Sequence, residues 1–245
     1  TIIKKNFNFT INLDFKIKEM PKNIARFSSG AYYNLPKDNN EGIFYINTYR
    51  LDINPKFIAE SLILHEGNPG HNFQSVRSIE KKVPFYLIYF NSSGYSEGWA
   101  LYAESLGEYK DLYSYYGRLV LEMMRAVRLV VDTGIHSSKY KWSYEKSLKY
   151  FKEKTGVEDF KSKNEILRYI NNPGQAVSYK MGEKFVMDLR DDFLKENKSL
   201  KEFHSYFLDR GPIPLDLLKE ELYKKSSSEE SGVTKGRQCS GRTCK

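Results

Sequence analysis

The sequence has 245 residues, of which 40% are hydrophobic and 29% charged, a balance typical of a globular protein with one large domain or two small ones. Its longest apolar run, from Pro84 to Phe90, is far shorter than the ~18 residues of a membrane-spanning helix, and no signal peptide is recognisable. The net charge is +8, and residues 224–245, with six Lys/Arg and two Glu, contribute half of it. The other half is spread over the rest of the chain, so no concentrated basic patch indicates nucleic-acid binding.

Residues 1 to about 50 are predicted to form short strands and loops. Apolar and polar residues alternate from Phe7 to Leu13, which is typical of a strand, and Pro21 ends this segment. Two more strands are predicted on either side of the turn residues Pro36 to Gly42. An exposed edge of these strands could pair with an extended peptide substrate.

From Asn54 onward the chain is predicted to be helical, because Asn54-Pro55 is a capping residue followed by proline in the first turn. Residues 224–245 are polar and rich in Gly and Ser, which predicts a disordered basic tail. Both cysteines, Cys239 and Cys244, lie in that tail, so disulfides do not hold the body of the fold together. Helices are expected over residues 55 to about 65, 71–81, 95–110, 114–134, from 143 onward, 164–169, 175–195, 200–208 and 215–223.

Two histidines and a glutamate lie in the segment HEGNPGH at residues 65–71. Neutral imidazole binds zinc, and a nearby carboxylate can act as a base toward an attacking water. Their spacing would put His65 and His71 about 120° apart on a regular helix, too far for one metal ion. Pro69 and Gly70 predict a kink that swings His71 back toward His65. The alternative is a helix end, a Pro-Gly turn and two incidental histidines.

A zinc site needs a third protein ligand, and Glu97 and Glu104 in the segment SEGWALYAE are the candidates. They lie about 20° apart on one face of a helix, so one could bind the metal while the other orients a ligand. The alternative is two surface glutamates on an amphipathic helix. Trp99 and Leu101 lie beside them and disfavour a fully exposed face.

Two residues of the later helices could stabilise a developing oxyanion. His136 follows a long apolar helix and lies one turn after Asp132, which could orient it. A lone histidine in this position is also commonly structural. Tyr179 could donate a hydrogen bond to an oxyanion, or it could pack in the core. His204 is predicted to be structural.

Several cations are candidates for substrate binding. Arg168 could hold a substrate carboxylate, as could Arg125 and Arg128. Lys180 is a further candidate because it follows Tyr179 directly. The alternative for each of these residues is an ordinary ion pair with Glu or Asp.

Several separated motifs point to a known family. They include HEGNPGHNFQ, SEGWALYAE, RLVVDTGIH, RYINNPGQAVSYKMG and FHSYFLDRGPIPLDLL, in this order. Together they resemble the family catalogued as domain of unknown function eight hundred and eighty-five, whose central motif resembles H-E-x-x-P-G-H-H-x-Q. The resemblance covers nearly all of residues 1–223. It implies a mainly α-helical, gluzincin-like metallopeptidase domain with a small β-strand and loop region near the N-terminus.

The resemblance also implies roles for individual residues. His65, His71 and Glu97 match the ligands of one zinc ion per chain, and Glu66 matches the glutamate that activates water. Glu104 would then orient one of the ligands or be an alternative ligand.

Among the residues of the later helices, His136 and Tyr179 are the nearest candidates for the His and Tyr that stabilise the oxyanion in the gluzincin relatives. Two departures from the family are visible. Asn72 replaces the second histidine of the H-H pair, and family members are about twice as long. Residues 1–223 are therefore expected to be the C-terminal half of a longer architecture. An N-terminal half, or a second chain, would complete the cleft.

The predicted function is that of a zinc-dependent peptidase-like hydrolase, in which an activated water attacks a peptide amide. The alternative is a metal-binding but inactive relative that serves as a structural or interaction protein. A nucleic-acid-binding module would rest on net charge alone and is disfavoured, and no membrane span is expected.

Overall fold

Helices account for most of the chain, as predicted. The structure, a computed structural model, describes residues 1–28, 30–36, 41–89 and 92–233, with side chains as far as Lys224. None of the helices in these ranges is both long and apolar enough to cross a bilayer. The helices are α1 (Ile2–Asn6), α2 (Lys22–Ala25), α3 (Ala59–Glu66), α4 (His71–Glu80), α5 (Phe85–Tyr89), α6 (Ser93–Ser105), α7 (Leu112–His136), α8 (Tyr144–Thr155), α9 (Asp159–Asn171), α10 (Ser178–Leu194), α11 (Leu200–Leu208) and α12 (Leu215–Val233).

A small sheet near the N-terminus contains β1 (Phe15–Glu19), β2 (Ala31–Asn34) and β3 (Gly42–Ile46), in the order β1-β3-β2. Strand β3 pairs in parallel with β1 and antiparallel with β2. The two strands predicted around a turn are therefore confirmed as β2 and β3. Part of that turn, residues 37–40, lies outside the described residues.

The strand predicted from Phe7 onward and ended by Pro21 is confirmed only in its second part, as β1. Residues 7–14 are not in a strand, because α1 ends at Asn6 and the sheet begins only at Phe15. The rings of Phe7 and Phe9 pack on Phe73 of α4, at centroid distances of 4.7 and 5.4 Å. The alternation of apolar residues thus reflects packing of an irregular segment on a helix rather than pairing in a sheet.

Several helices differ in length from the prediction, and side-chain caps explain two of the differences. Helix α7 begins at Leu112 because the Asp111 carboxylate accepts a hydrogen bond from the backbone N–H of Ser114, at 2.7 Å. Helix α9 is longer than predicted because the Glu158 carboxylate caps its first turn.

The last helix also differs from the prediction. Helix α12 continues past Tyr223 to Val233, through residues 224–233 of the segment that we expected to be disordered. Cys239 and Cys244 lie outside the described residues.

Helices α6 and α10 pack with their backbones in direct contact. A Cβ atom added to Gly98 would overlap the backbone of Gly182. Only residues without a side chain allow this approach. Aromatic residues bury the surrounding core, and among them Trp99 and Phe207 are fully buried. The contact brings Glu97, on α6, close to the first turn of α10, where Tyr179 lies.

Candidate metal centre

A break between α3 and α4 brings the two motif histidines together. His65 lies in the last turn of α3, and His71 is the first residue of α4. The Asn68-Pro69 peptide bond between them is cis. A Cβ atom on Gly70 would overlap the carbonyl oxygen of His65, so the tight return of the chain requires glycine here. The predicted kink is thus a complete break, and the imidazole centroids lie 4.9 Å apart.

Buried polar contacts hold this break in place. The indole N–H of Trp99 donates to the carbonyl oxygen of Pro69 at 2.8 Å. The Asn72 side chain accepts a hydrogen bond from the Tyr33 hydroxyl at 2.7 Å and donates one to Asn68 at 2.9 Å. Asn72 is fully buried, and its contacts tie the break to strand β2. The residue that departs from the family motif therefore has a structural role.

Glu97 completes a group of three side chains that could hold a metal ion. Its Oε2 lies 3.4 Å from the Nε2 atom of His65 and 3.4 Å from that of His71. The three ligand atoms all lie within 4.8 Å of one another. Neighbouring ligands of a tetrahedral zinc ion are about 3.3 Å apart, given metal–ligand distances of about 2.0–2.2 Å. Glu97 Oε2 is buried and has no hydrogen-bond partner among the described residues, as expected of an atom that faces a metal.

Glu104 lies on the opposite side of the His65 ring, as predicted for a residue that orients a ligand. Its Oε1 accepts a hydrogen bond from His65 Nδ1 at 2.8 Å, which leaves Nε2 free to bind a metal. Arg125 donates to the same oxygen at 3.0 Å, and Ser61 donates to the other oxygen.

The sequence analysis assigned no role to Ser61 and did not connect Arg125 with Glu104. Two sequence signals could have identified them. Ser61 lies one helical turn before His65, and Arg125 interrupts the apolar stripe of a long helix.

The carboxylates around His65 control its protonation. Burial lowers the pKa of His65, but contact with Glu104 and Glu97 outweighs burial and raises the pKa to about 9. Burial raises the pKa of Glu97, and the adjacent His65 and His71 reverse this effect and lower it well below its usual range. In the absence of a metal, a proton on the imidazole therefore balances the buried carboxylates. A metal ion must displace that proton.

A cavity of about 620 Å³ opens beside His65. Glu66 and Arg168 line it, as does Tyr179, whose ring stacks on His65 with centroids 6.2 Å apart. Arg168 donates a hydrogen bond to the Tyr179 oxygen at 2.8 Å. Burial, followed by the nearby Glu97 carboxylate, raises the pKa of Tyr179, so the phenol stays protonated at neutral pH. An apolar part of the wall is formed by Phe57, Ile58, Leu62, Val120, Leu121 and Met124.

The structure does not bring His136 and Asp132 to this site. His136 is the last residue of α7, and its Nε2 donates to the carbonyl oxygen of Tyr169 at 2.9 Å. Asp132 lies 3.6 Å from His136 and accepts a hydrogen bond from the backbone N–H of Gly174 at 3.1 Å. Neither belongs to the three-residue group or lines the cavity. The hydrogen bond of His136 to Tyr169 connects α7 with α9, and Asp132 contacts the chain after α9 through Gly174.

Lys180 does not lie where the substrate-binding role predicted from the sequence would require it. Its ammonium group lies between Glu122, at 2.9 Å, and Glu183, at 2.5 Å. It does not line the cavity. Two ion pairs, one within α10 and one to α7, therefore account for this residue.

Two solved structures with a similar fold belong to proteins much longer than this chain. A proposed lipoprotein from Colwellia psychrerythraea is 34% identical in sequence, with a TM-score of 0.85 over 93% of this chain and 40% of that one. A proposed lipoprotein of unknown function from Shewanella oneidensis shares the fold at 19% identity, with a TM-score of 0.72 over 87% of this chain and 42% of that one. The chain thus spans less than half the length of either protein.

Among curated proteins, none matches the sequence significantly. The model of the family described as "Bacterial protein of unknown function (DUF885)" matches residues 1–222, and the chain therefore belongs to that family.

Proposed function

We propose that the protein is a zinc-dependent peptidase-like hydrolase. The observation that carries this proposal is the convergence of His65, His71 and Glu97 from three helices at the edge of a cavity that Glu66 also lines. Two imidazole nitrogens and one carboxylate oxygen form a donor set typical of catalytic zinc sites. A bound zinc ion would supply Lewis acidity to the scissile carbonyl group and to the attacking water.

Glu66 is the proposed general base. It follows His65 directly, so on α3 its side chain points about 100° away from that of the metal ligand. This direction takes it into the cavity rather than to the three-residue group. There it would accept a proton from water as the water oxygen attacks the amide carbon, and pass a proton to the departing amine when the C–N bond breaks.

Tyr179 is the proposed donor to the oxyanion. Its oxygen accepts hydrogen bonds from Arg168 at 2.8 Å and from Gln175 at 3.5 Å. These contacts use the lone pairs of the oxygen, so the hydroxyl hydrogen remains available to a substrate carbonyl. Arg128 lies over the Tyr179 ring, 4.6 Å from its centroid, and holds the ring beside His65.

The sheet offers a place for the substrate chain. Gly30, the residue before β2, lines the cavity, and β2 is an outer strand of the sheet within the described residues. An extended peptide can add to an outer strand through main-chain hydrogen bonds. We therefore propose that a peptide enters the cavity alongside β2.

The decisive experiment separates metal binding from catalysis. Purified protein is stripped of metal, titrated with zinc and assayed on a peptide library. We expect about one zinc ion per chain. Glu66→Gln should keep the zinc and lower hydrolysis by about two to four orders of magnitude, because the base is lost. Glu97→Ala should lose tight zinc binding. The exposed Glu108, which pairs with Lys5, provides a control, and Glu108→Gln should change neither property.

Two outcomes would refute this proposal. If the wild type binds no zinc tightly at neutral pH, the three side chains are not a metal site. If the wild type holds zinc but hydrolyses no peptide, the protein is a metal-binding relative without catalytic activity. Loss of zinc in Glu66→Gln but not in Glu97→Ala would exchange the roles of the two glutamates.

A further inference from the structure

Arg125 is a buried cation with unused hydrogen-bond donors at the wall of the cavity. Its side chain is 4% exposed, and its Nη2 group donates a hydrogen bond to Glu104 at 3.0 Å. Its Nε and Nη1 atoms are buried and have no hydrogen-bond partner among the described residues. Buried donors without partners are rare and unfavourable in folded proteins. Their position beside a cavity indicates a ligand that would accept these hydrogen bonds.

The neighbouring arginines do not share this property. Arg128 donates to the Tyr169 hydroxyl at 3.2 Å and to Glu165 at 2.9 Å. Arg168 donates to Gln175 and to Tyr179, at 2.7 and 2.8 Å. Both therefore serve contacts within the protein. A charged guanidinium group favours an anionic acceptor, and carboxylate and phosphate are the common anions that it binds.

The geometry points to a carboxylate close to the proposed metal. Oε1 of Glu104 contacts both His65 Nδ1, at 2.8 Å, and Arg125 Nη2, at 3.0 Å. One carboxylate oxygen thus connects the zinc-ligand ring with the guanidinium group. His65 and Arg125 also line the same cavity, so a carboxylate held by Arg125 would lie in the part of the cavity next to the proposed metal.

We propose that Arg125 binds the C-terminal carboxylate of a peptide, so that the site releases residues from the carboxyl end. This inference rests on the peptidase function proposed above and specifies its substrate class. Leu62, Leu121 and Met124 line the same cavity and favour an apolar last residue. A peptide that continued past this point would offer Arg125 a neutral amide instead of a charged acceptor.

A binding experiment on metal-free protein tests the proposal without relying on catalysis. The probes are N-acetyl-alanyl-leucine and its C-terminal amide, titrated by calorimetry. Without metal, the carboxylate cannot gain affinity by ligating zinc. We expect the free acid to bind at least about tenfold more tightly than the amide, as for a charged hydrogen-bonded pair. Arg125→Gln should abolish this preference.

Arg118 provides a matched control on the same helix. It also has a buried Nε without a partner among the described residues, but it pairs with Glu122 and does not line the cavity. Arg118→Gln should keep the preference for the free acid. Equal binding of the two probes to the wild type, or a preference that survives in Arg125→Gln, would overturn the proposal. If Arg125→Gln does not fold, equal binding of the two probes to the wild type still overturns the proposal.

The outcomes also distinguish this proposal from the peptidase function itself. A preference for the free acid in a protein that hydrolyses nothing would support the carboxylate site and refute the peptidase. Cleavage of amidated and free peptides at equal rates, at internal bonds, would support the peptidase and refute the carboxylate site. Mass spectra of a digested peptide should show successive loss of C-terminal residues if both proposals hold.

Discussion

Replacing Glu104 with glutamine tests how strongly a residue behind the metal site controls it. The carboxylate accepts charge-assisted hydrogen bonds from His65 and Arg125 through one oxygen, at 2.8 and 3.0 Å. Glu104→Gln keeps the size of the side chain but removes its charge. The amide oxygen can still accept from His65, and the Ser61 hydroxyl can accept from the new amide group. The variant is therefore expected to fold.

The expected magnitude follows from two opposing effects. Loss of a carboxylate that hydrogen-bonds a metal-binding histidine weakens metal binding by about 10- to 100-fold, or about 1.4–2.7 kcal/mol. Glu104 is also the strongest of the contacts that raise the pKa of His65 to about 9. Without it the pKa of His65 falls, so fewer protons compete with the metal at neutral pH. The loss of zinc affinity should consequently be smaller at pH 7 than at pH 9.

Competition with a fluorescent chelator at both pH values measures this effect. In the wild type, zinc affinity should increase with pH up to about 9, because metal binding releases the proton of His65. Glu108→Gln, which neutralises an exposed glutamate, should behave as the wild type does. An unchanged affinity of Glu104→Gln at pH 9, or a loss of equal size at both pH values, would refute the role assigned to Glu104.

Three further predictions concern the rest of the fold. His204 accepts a hydrogen bond from Tyr102, and burial lowers its pKa from 6.5 to about 4. The unfolded chain therefore binds the proton first as pH falls. Chemical denaturation should show that the free energy of unfolding decreases by about 3 kcal/mol between pH 6.5 and 4, and His204→Gln should lack this decrease. Gly98→Val should push α6 away from α10 and lower the melting temperature. Zinc affinity should fall as well, because Glu97 is the neighbouring residue. An unchanged melting temperature would contradict the backbone contact. His136→Ala should leave zinc affinity and the rate of hydrolysis within about twofold, because His136 neither belongs to the three-residue group nor lines the cavity. A large loss of either would support the catalytic role predicted from the sequence.

Local sequence features predicted the parts of the site that depend on neighbouring residues. The spacing of His65 and His71 excludes a continuous helix, and Pro69 with Gly70 supplies the break that the structure contains. The period of a helix likewise placed Glu97 and Glu104 on one face.

Contacts between distant helices were not predictable in the same way. Helical phase shows that Asp132 and His136 share a face, but it does not show that this face meets Tyr169 on α9 instead of the cavity. Similarly, nothing near Lys180 in the sequence reveals that Glu122, from another helix, pairs with it. Arg125 became distinguishable from Arg128 only through the partners that each one has in three dimensions.

The contact of Gly98 with Gly182 also has a mechanical consequence. Backbone touches backbone at these two glycines. At this point no side chain lies between α6 and α10 that could change rotamer when one helix shifts against the other. Glu97 precedes one of these glycines and Tyr179 lies one turn before the other, so the spacing of these two groups is as stiff as the main chain itself. Movement that admits a large molecule to the cavity is then expected from other parts of its wall, such as α7 and the segment before β2, which also line it.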